Sequence, residues 1–423
     1  MIVPSIDLMN GRAVQLQRGR EFVLDGGDPL ARLEEFSVAG EVAIVDLDAA
    51  LGRGSNAPLI REMIRRAPCR VGGGIRTVEA AQDWLDAGAA RVVIGTAAST
   101  EFLSALPRER VVAAVDASNG QVVVEGWRTS TGTDPLTRIA ELSEVSGGFL
   151  LTQVEVEGMM AGFDRGLVET AAAAAARGGS RLTAAGGITT ADDIAWLDRV
   201  GADAQVGMAL YTGRITLGEA IAAPLRNPPV AGLWPTVVAD ESGVVLGLVW
   251  STPESIAAAT RDREGIYWSR SRGRLWRKGE SSGATQRLLR VDLDCDRDAI
   301  RFTVRQEPPG FCHTGSRGCF GDDFGLGTLE RTIRSRLDDP MPGSGTRALI
   351  ENPGLLAAKL VEEARELAGA ESAGAAEAEA ADLIYFALTA LVARGGSLSG
   401  VTSELARRGG RVRRRAMVAK EPA

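Results

Sequence analysis

The stretch Asp7-Leu-Met-Asn-Gly11 follows a short apolar run, and it recurs as Asp116-Ala-Ser-Asn-Gly120 after a second such run. A further pair of motifs, Gly73-Gly-Ile-Arg-Thr77 and Gly186-Gly-Ile-Thr-Thr190, follows in the same order and at nearly the same offset. Because an internal repeat constrains the architecture as a whole, these motifs predict a domain built from two similar halves.

Eight short apolar or β-branched runs alternate with longer stretches rich in Ala, Leu and Arg over residues 1–225. We expect strands at 2–6, 42–47, 70–71, 91–94, 111–115, 149–153, 181–184 and 204–206. Eight parallel strands in this length favour an α/β fold, the (βα)8 TIM barrel, with its active site at the carboxyl ends of the strands. An open doubly wound sheet is the competing fold, and the two-fold repeat favours the barrel.

The length of 423 residues predicts a multidomain chain. Residues 230–330 combine strand-forming and turn residues and predict a small β-rich α+β domain. A linker rich in Pro, Gly and Ser at 338–345 precedes residues 346–423, whose composition predicts an all-α helical domain. Its helices are expected at 349–367, at 376–393 and in a short third segment ending near 408. The basic stretch 411–415 is typical of a solvated chain end.

Composition excludes several classes of protein. Hydrophobic residues make up 45% and charged residues 24%, which is typical of a soluble globular chain. No apolar run reaches the roughly 18 residues needed to cross a bilayer, and the first residues lack the basic start of a signal peptide. We therefore expect a cytoplasmic protein with no membrane partner. The net charge of -7 and the pI near 5.2 argue against a nucleic-acid partner.

Asp7 and Asp116 follow predicted strands 1 and 5, on opposite sides of the barrel mouth. Two acids across a bound sugar can divide the work, because one can protonate a ring oxygen while the other removes a carbon-bound proton. That is aldose–ketose isomerisation. The alternative is that either carboxylate is a helix N-cap or a loop contact.

Glycines just past the strands can bring backbone N–H groups close to an anion. One group lies at the ends of strands 3 and 4 and the other at the ends of strands 7 and 8, which predicts a substrate with a phosphate at each end. The alternative is that these glycines only form tight βα turns. The predicted binding residues are Gly73, Gly74, Arg76, Gly95 and Thr96 in the first half, and Gly186, Gly187 and Gly207 in the second.

Ile-Asp-Leu at 6–8, Gly-Gly-Gly-Ile-Arg at 72–76 and Gly-Met-Ala-Leu-Tyr at 207–211 resemble the histidine-biosynthesis isomerase family that converts the aminoaldose ProFAR to the aminoketose PRFAR. The resemblance covers residues 1–225 and implies that Asp7 and Asp116 are the catalytic pair. After strand 6 the family usually has Thr-Asp-x-x-x-Asp-Gly, where this chain has Thr152-Gln-Val-Glu-Val-Glu-Gly158. The resemblance implies that Thr152 binds substrate, and the changed aspartates leave rate and specificity open.

The segment Asp294-Cys-Asp-Arg-Asp298 alternates carboxylates. On a strand, Asp294, Asp296 and Asp298 would share one face and Cys295 would lie on the other. Three carboxylates on one face predict a Mg²⁺ site, because Mg²⁺ prefers hard oxygen ligands.

Cys295, Cys312 and Cys319 fall within one short stretch and offer soft thiolate ligands for Zn²⁺, with a fourth position left for water. A structural zinc site is the alternative, and the lack of paired C-x-x-C spacings disfavours it. His313 is the single histidine of the chain. It could be a fourth ligand, a proton shuttle or a packed side chain, and we favour a catalytic proton shuttle.

Tyr267-Trp-Ser-Arg-Ser-Arg272, Lys278-Gly-Glu-Ser-Ser-Gly283 and Cys312-His-Thr-Gly315 resemble phosphoribosyl-AMP cyclohydrolase over residues 234–327. This resemblance implies that zinc activates the water that opens the adenine ring at its six-position. It also implies that the three cysteines are shared across a dimer interface.

Five acids of the C-terminal segment are spaced to share one face of a helical pair, where they repel one another unless a cation is bound. They are Glu362, Glu363, Glu366, Glu379 and Asp382. We expect Mg²⁺ there, and the alternative is a solvated acidic face. With Lys359 and Ala381-Asp-Leu-Ile-Tyr385, the pattern resembles phosphoribosyl-ATP pyrophosphohydrolase over residues 347–410.

The three resemblances name consecutive reactions on phosphoribosyl nucleotides, small-molecule substrates. They imply a trifunctional histidine-biosynthesis enzyme, and a homodimer formed through the C-terminal domains. Two alternatives keep both hydrolases: a barrel that also isomerises phosphoribosylanthranilate, or a non-catalytic barrel that serves as a scaffold. A zinc-dependent nucleic-acid module is a third alternative, which the pI and the cysteine spacing disfavour.

Overall fold

The computed structural model describes residues 1–230, 232–321, 325–338 and 343–413. Half of the predicted linker 338–345, the end of the basic stretch 411–415 and the end of the predicted domain 346–423 lie outside these residues. Among the residues described, no helix is both long enough and apolar enough to span a membrane.

The first half of the chain contains twelve strands. They are β1 Ile2–Met9, β2 Arg12–Gln17, β3 Glu21–Gly27, β4 Val42–Asp46, β5 Cys69–Gly72, β6 Arg91–Ile94, β7 Val111–Ser118, β8 Gln121–Val124, β9 Thr129–Ser130, β10 Gly148–Gln153, β11 Arg181–Ala185 and β12 Ala202–Val206. Eight of them, β1, β4, β5, β6, β7, β10, β11 and β12, confirm the eight predicted runs.

These eight strands form a closed parallel barrel. Each pairs in parallel with the next, β12 pairs with β1, and β7 pairs with β10. An open sheet would leave two edge strands, so the closure excludes the doubly wound alternative. Fully buried side chains such as Ile6, Ile44 and Phe149 form the hydrophobic core of the barrel domain.

The other four strands form two hairpin extensions at equivalent places. β2 and β3 continue antiparallel from β1, and β8 and β9 continue from β7. Asn10 and Gly11 have φ of 51° and 74°, and Asn119 and Gly120 have φ of 50° and 76°. Two residues with positive φ are the requirement of a type I′ hairpin turn, for which Asn-Gly is preferred. The repeated Asn-Gly therefore has a structural cause. The repeat was predicted from the sequence, and the two hairpins were not.

Ten helices connect the barrel strands. They are α1 Pro29–Phe36, α2 Leu47–Leu51, α3 Ala57–Arg66, α4 Val78–Ala87, α5 Thr100–Ser104, α6 Pro135–Leu142, α7 Arg165–Arg177, α8 Ala191–Arg199, α9 Met208–Tyr211 and α10 Leu217–Ala222. Thr77 and Thr190 cap α4 and α8 by accepting hydrogen bonds from Ala80 N and Asp193 N. The two capped helices follow the two Gly-Gly motifs, as the repeat predicts.

A six-stranded sheet follows the barrel, which confirms the predicted β-rich segment. Its elements are β13 Trp234–Asp240, β14 Val245–Ser251, α11 Pro253–Asp262, β15 Ile266–Ser269, β16 Arg274–Arg277, β17 Gln286–Leu293 and β18 Ile300–Gln306, in the strand order β16-β15-β14-β13-β18-β17.

The expectation that residues 294–298 form a strand is wrong. They make the connection between β17 and β18, with Arg297 at φ 69°. Asp294 accepts hydrogen bonds from Asp298 N and Ala299 N, at 3.0 and 3.1 Å, and these bonds bend the chain back on itself. An aspartate that bonds to nearby backbone favours a turn over a strand.

Five helices complete the described chain: α12 Leu326–Asp338, α13 Gly345–Glu351, α14 Pro353–Gly369, α15 Ala373–Val392 and α16 Leu398–Gly409. Helices α13 to α16 confirm the all-α prediction, whereas α12 lies before residue 346 and was not predicted. The helix expected at 349–367 is two helices, because Pro353 has no backbone N–H and Asn352 caps the second by accepting from Leu355 N.

The chain forms two compact units. One comprises Met1–Ala239, Leu248–Pro308 and the described residues from Arg407 onward, and the other comprises Asp240–Gly247 and Pro309–Ala406. In the first unit α10 packs closely on α11, where a Cβ at Gly218 would lie 2.4 Å from the Cα of Ala257. The domain boundaries at 225, 230–330 and 346 stay predictions.

Candidate active sites

The two predicted acids lie near the carboxyl ends of barrel strands β1 and β7. Ser5 Oγ donates to Asp7 Oδ1 at 3.1 Å, and Trp127 Nε1 donates to Asp116 Oδ2 at 2.8 Å. Thr152 faces Asp116 across the β7–β10 pairing and also hydrogen-bonds to its carboxylate. Neither acid caps a helix, since Asp28 and Asp134 cap the helices that follow, so the N-cap alternative does not apply to Asp7 and Asp116.

Burial shifts the titration of both acids. Desolvation raises the pKa of Asp7 to about 6, against a weaker opposing effect of the Ser5 hydrogen bond. Desolvation also raises the pKa of Asp116, although Trp127 and Thr152 donate to its carboxylate. Carboxyls with pKa values moved toward neutrality are suited to proton transfer at physiological pH.

Glu157 is a third acid of this site, and in the sequence it stands out only as a departure from a family motif. Burial, and then the negative charges of Asp7 and Asp116, raise the pKa of Glu157 to about 8. Its Oε2 is buried and has no hydrogen-bond partner among the described residues. Three mutually repelling carboxyls hold at least one proton at neutral pH, since ionising all of them is unfavourable.

Gln153, the second residue that differs from the family motif after strand 6, has a structural role. Its side chain is buried, accepts from Asp164 N at 2.8 Å and donates to Asp164 O at 3.2 Å. These bonds tie the end of β10 to the residue that caps α7.

The Gly-Gly motifs form matching turns in the two halves. Gly73 and Gly187 have φ of 96° and 75°. A Cβ at Gly73 would lie 2.3 Å from Asp46 O, and one at Gly187 would lie 2.0 Å from Gly162 O. Backbone packing alone therefore requires glycine at both positions, whether or not a phosphate binds there.

The remaining predicted phosphate residues differ in their surroundings. A Cβ at Gly95 would have nothing within 4 Å, whereas one at Gly207 would lie 2.7 Å from Gln15 Oε1. Arg76 donates to Ala50 O at 3.0 Å, and Thr96 Oγ1 accepts from Glu125 N at 3.0 Å. Strand pairing places Gly73, Gly74 and Gly95 at one part of the barrel rim and Gly186, Gly187 and Gly207 at another.

The loop between β17 and β18 brings Asp294, Asp296 and Asp298 together, although not on a strand face. One oxygen from each carboxylate lies within 4.8 Å of the others. Burial and the negative charges of Asp296 and Asp294 raise the pKa of Asp298. Carboxylate oxygens that lie this close and repel one another are suitable ligands for a hard divalent cation.

Cys312 is the thiol best prepared to be a metal ligand. Thr314 Oγ1 donates to its sulfur at 3.1 Å, and this bond, with weaker ones from Ser316 and Cys319, lowers its pKa to about 6. The thiolate, which is the deprotonated form of cysteine, is the form that binds zinc. His313 Nδ1 lies 3.8 Å from the Cys312 sulfur. Cys295 is exposed in the acidic loop of the first compact unit, whereas Cys312 and Cys319 belong to the second.

Helices α14 and α15 bring together Glu363, Glu366 and Glu379, with carboxylate oxygens within 4.8 Å of one another. Burial and then the charges of Glu366, Glu363 and Asp382 raise the pKa of Glu379. Glu362 instead pairs with Lys359, whose Nζ lies 2.9 Å from Glu362 Oε1. A group of acids of this kind, with Glu363 buried and Glu366 exposed, also fits a divalent cation.

A family model described as "Histidine biosynthesis protein" matches residues 1–216, just over half of the chain. The chain belongs to this family. Two further models match in succession, phosphoribosyl-AMP cyclohydrolase over residues 247–321 and phosphoribosyl-ATP pyrophosphohydrolase over residues 326–409. The three matches confirm the resemblances and their order. Both hydrolase families use metal ions.

Curated relatives agree with these matches. The chain is 39% identical over 236 residues to a phosphoribosyl imidazole-4-carboxamide isomerase of Methanoregula boonei, covering 52% of this chain and 98% of the relative. It is 43% identical over 208 residues to the histidine biosynthesis trifunctional protein of Neurospora crassa, covering 49% of this chain and 24% of the relative. The histidine biosynthesis bifunctional protein his7 of Schizosaccharomyces pombe is 43% identical over 192 residues, covering 45% of this chain and 46% of the relative. The chain therefore matches less than half the length of these two fungal relatives.

The candidate site in the barrel also contains three residues for which no role was predicted from the sequence: Glu157, Trp127 and Tyr211. Trp127 belongs to a Gly-Trp pair that follows the β7–β8 hairpin, and Glu157 retains an acid in the loop after β10. The Tyr211 hydroxyl is buried without a hydrogen-bond partner among the described residues, and desolvation and the nearby Asp7 charge raise its pKa. A carboxylate in the changed motif was the feature that could have pointed to Glu157.

Proposed function

We propose that the chain catalyses three reactions of histidine biosynthesis. It would hydrolyse phosphoribosyl-ATP to phosphoribosyl-AMP and pyrophosphate, open the purine ring to give ProFAR, and isomerise ProFAR to PRFAR. The observation that carries this proposal is the succession of three family matches along the chain.

In the barrel, Asp7 and Asp116 would act as the acid–base pair. One would protonate the ring oxygen of the aminoaldose and so open the ring, and the other would remove the proton from C2. The resulting enol tautomerises to the aminoketose, so the isomerisation is redox-neutral overall. Glu157 supports this division of labour, because its repulsion keeps a proton within the acidic group at neutral pH. The glycine turns at two parts of the barrel rim would hold the two phosphates.

In the middle segment, we propose that Cys295, Cys312 and Cys319 hold zinc, shared across a dimer interface as the family resemblance implies, and that Asp294, Asp296 and Asp298 hold Mg²⁺. Bound zinc supplies a Lewis acid that lowers the pKa of water. The hydrogen bond from Thr314 keeps Cys312 in its thiolate form, and His313 would carry protons to and from the opened ring.

In the C-terminal segment, Glu363, Glu366 and Glu379 would hold Mg²⁺, with Asp382 beside them. Bound Mg²⁺ neutralises triphosphate charge. Lys359 orients Glu362 and lies 3.6 Å from Glu363 Oε1. A cytoplasmic homodimer is the proposed state of the protein.

The test is to incubate the purified full chain with phosphoribosyl-ATP, Mg²⁺ and trace Zn²⁺, and to resolve the products by chromatography and mass. Accumulation of PRFAR is expected. Cys312→Ala should stop the sequence at phosphoribosyl-AMP, and Glu366→Gln should leave phosphoribosyl-ATP unconsumed. If the wild-type chain stops at ProFAR, both hydrolase assignments stand and the isomerase assignment is wrong. Phosphoribosylanthranilate, added as a second substrate, tests the relaxed-specificity alternative.

A further inference from the structure

The buried carboxylate of Asp240 contacts the cysteine loop, which we define as residues 311–319, within the second compact unit. Asp240 is the last residue of β13, and its side chain is only 1% exposed. A buried carboxylate is unfavourable unless it has charged or hydrogen-bonding partners. The partners of Asp240 therefore indicate what this residue does.

The two oxygens of Asp240 serve different parts of the structure. Oδ1 accepts from Ser242 N at 2.9 Å and from Val244 N at 3.0 Å, and these bonds close the turn between β13 and β14. Oδ2 accepts from Arg317 Nη2 at 2.7 Å and lies 3.9 Å from Arg331 Nη1 of α12. A neutral amide oxygen could also close the turn. The contacts that call for a negative charge are those with the arginines, of which Arg317 is the closer.

Arg317 lies at the base of the cysteine loop. Its carbonyl oxygen accepts from Phe311 N at 2.8 Å, and Ser316 O accepts from Cys312 N at 3.1 Å. These two backbone bonds close the turn that carries Cys312. The contact between Asp240 and the Arg317 side chain therefore fixes one end of this turn.

The cysteine loop also brings two thiols together. The Cys319 side chain hydrogen-bonds to the Cys312 sulfur. Cys319 N donates to Leu246 O at 2.7 Å, in the strand that follows the turn at Asp240. The loop is thus held to the β13–β14 hairpin at two places, by the Cys319 backbone and by the pair of Asp240 and Arg317.

We propose that Asp240 is a positioning residue for zinc binding: by holding Arg317, it keeps Cys312 and Cys319 in the arrangement that binds the ion. This inference rests on the zinc site of the proposed function and assigns to it a residue outside the ligand set. Asp240 touches neither zinc nor substrate. Removal of a group that holds metal ligands in place typically weakens metal binding by about 10- to 100-fold.

The experiment measures the zinc affinity of the full chain by competition with a chromophoric chelator, with excess Mg²⁺ present to occupy the carboxylate groups. Asp240→Asn keeps an oxygen for the turn but can place an amide N–H donor against the Arg317 guanidinium. We expect its zinc Kd to rise by about 10- to 100-fold. Arg317→Met should have a similar effect. The double variant should lose little more affinity than either single variant, because both changes break one contact.

Co²⁺ in place of Zn²⁺ gives a spectroscopic readout of the thiolates. The charge-transfer absorbance of bound Co²⁺ reports thiolate ligands, and in Asp240→Asn it should need more Co²⁺ to saturate than in wild type. Arg317→Lys keeps a positive charge that can face Asp240, so it should bind zinc more tightly than Arg317→Met.

Glu330→Gln is the matched control in the same compact unit. Glu330 is 14% exposed, and its carboxylate lies 2.8 Å from Arg334 Nη2 and accepts from Leu398 N at 3.2 Å. Neither partner belongs to the cysteine loop. Glu330→Gln should therefore bind zinc like wild type, although it too loses an ion pair.

The proposed zinc site and the role of Asp240 fail in different ways. If wild type binds zinc no more tightly than Cys312→Ala, the zinc site is wrong and this inference falls with it. If wild type binds zinc through Cys312 while Asp240→Asn and Arg317→Met both bind like wild type, only the role of Asp240 is overturned. If Asp240→Asn does not fold, Arg317→Met and Arg317→Lys decide, because the Arg317 side chain is 23% exposed and its loss spares the β13–β14 turn.

Discussion

At the residue scale, the titration of the barrel acids depends on their surroundings more than on their identity. Asp7 and Asp116 occupy equivalent places in the two halves, yet Asp7 has a serine donor and Asp116 has a tryptophan and a threonine donor. Glu157 adds a third carboxyl group that neither half of the repeat contains on its own. The site is thus asymmetric within a symmetric fold, as a division between acid and base requires.

Replacement of Asp116 by asparagine should remove the acid–base group while keeping an acceptor for Trp127. We expect isomerase kcat to fall by at least about 100-fold, because a lost general acid or base costs that much. Both hydrolase activities should be unchanged. The measurement is conversion of supplied ProFAR by the full chain, with Glu169→Gln on the exposed surface of α7 as the control. Retained activity in Asp116→Asn would support the scaffold alternative.

Replacement of Glu157 by glutamine should raise stability at alkaline pH. The folded chain holds this proton up to about pH 8, whereas an ordinary glutamate releases it near 4.5. The carboxyl therefore contributes most stability below pH 4.5, and that contribution is lost as the pH rises through 8. We expect Glu157→Gln to melt about 2–8 °C above wild type at pH 8.5, with a smaller difference at pH 5. Glu169→Gln should show no such pH dependence, and an equal difference at both pH values would contradict the assigned titration.

At the scale of elements, backbone chemistry decides where the acids meet. Asn352-Pro353 divides one predicted helix into α13 and α14, and the resulting α14 packs on α15 to bring Glu363 and Glu379 together. In the middle segment, side-chain bonds from Asp294 replace a predicted strand by a loop, and the loop still gathers the acids. Three of the five acids predicted for the C-terminal group, and all three aspartates of the middle segment, thus come together, the aspartates by a different local structure.

Glu379→Gln should weaken the response of the protein to Mg²⁺. In wild type, Mg²⁺ at about 100 times its Kd should stabilise the second compact unit by about 2.7 kcal/mol, because the ion binds only the folded cluster. Without Mg²⁺, the variant should have a higher melting temperature than wild type, since one repelling charge is gone. Adding Mg²⁺ should raise the melting temperature of the variant less than that of wild type. Thermal unfolding with and without Mg²⁺ measures both effects. Glu371→Gln, exposed and outside the cluster, should respond like wild type, and an equal Mg²⁺ response in Glu379→Gln would argue against a site there.

At the scale of the whole molecule, the barrel and much of the six-stranded sheet belong to one compact unit. A buried ion pair contributes to this association. Arg297, in the loop between β17 and β18, donates to Asp198 of α8 with Nη2 2.9 Å from Oδ1, and the two side chains are 10% and 3% exposed. Arg226 Nη2 lies 3.0 Å from the other oxygen of Asp198. The acidic loop of the middle segment is therefore held against a barrel helix.

Arg297→Met should destabilise the chain by about 2–4 kcal/mol, because it leaves Asp198 buried with fewer partners. The double variant Arg297→Met with Asp198→Asn should lose less free energy of unfolding than the sum of the losses in the two single variants. The reason is that the double variant leaves neither partner of the pair as an unpaired charge. Thermal unfolding of the four chains measures this coupling. The exposed pair Arg66 and Glu62 on α3 serves as the control and should contribute about 0–0.5 kcal/mol. Additive effects of Arg297→Met and Asp198→Asn would show that the contact does not support the fold.

The sequence by itself determined the barrel, the β-rich segment, the helical segment and the positions of Asp7 and Asp116, because hydrophobic periodicity and an internal repeat are local and are read directly from the chain. It also located the acidic groups of the later segments, since their spacing survives changes in local structure. Only the tertiary structure placed Glu157 beside the two aspartates and joined the buried Asp240 to Arg317 of the cysteine loop. These features depend on which side chains from distant parts of the chain exclude water together, and no local pattern in the sequence records that.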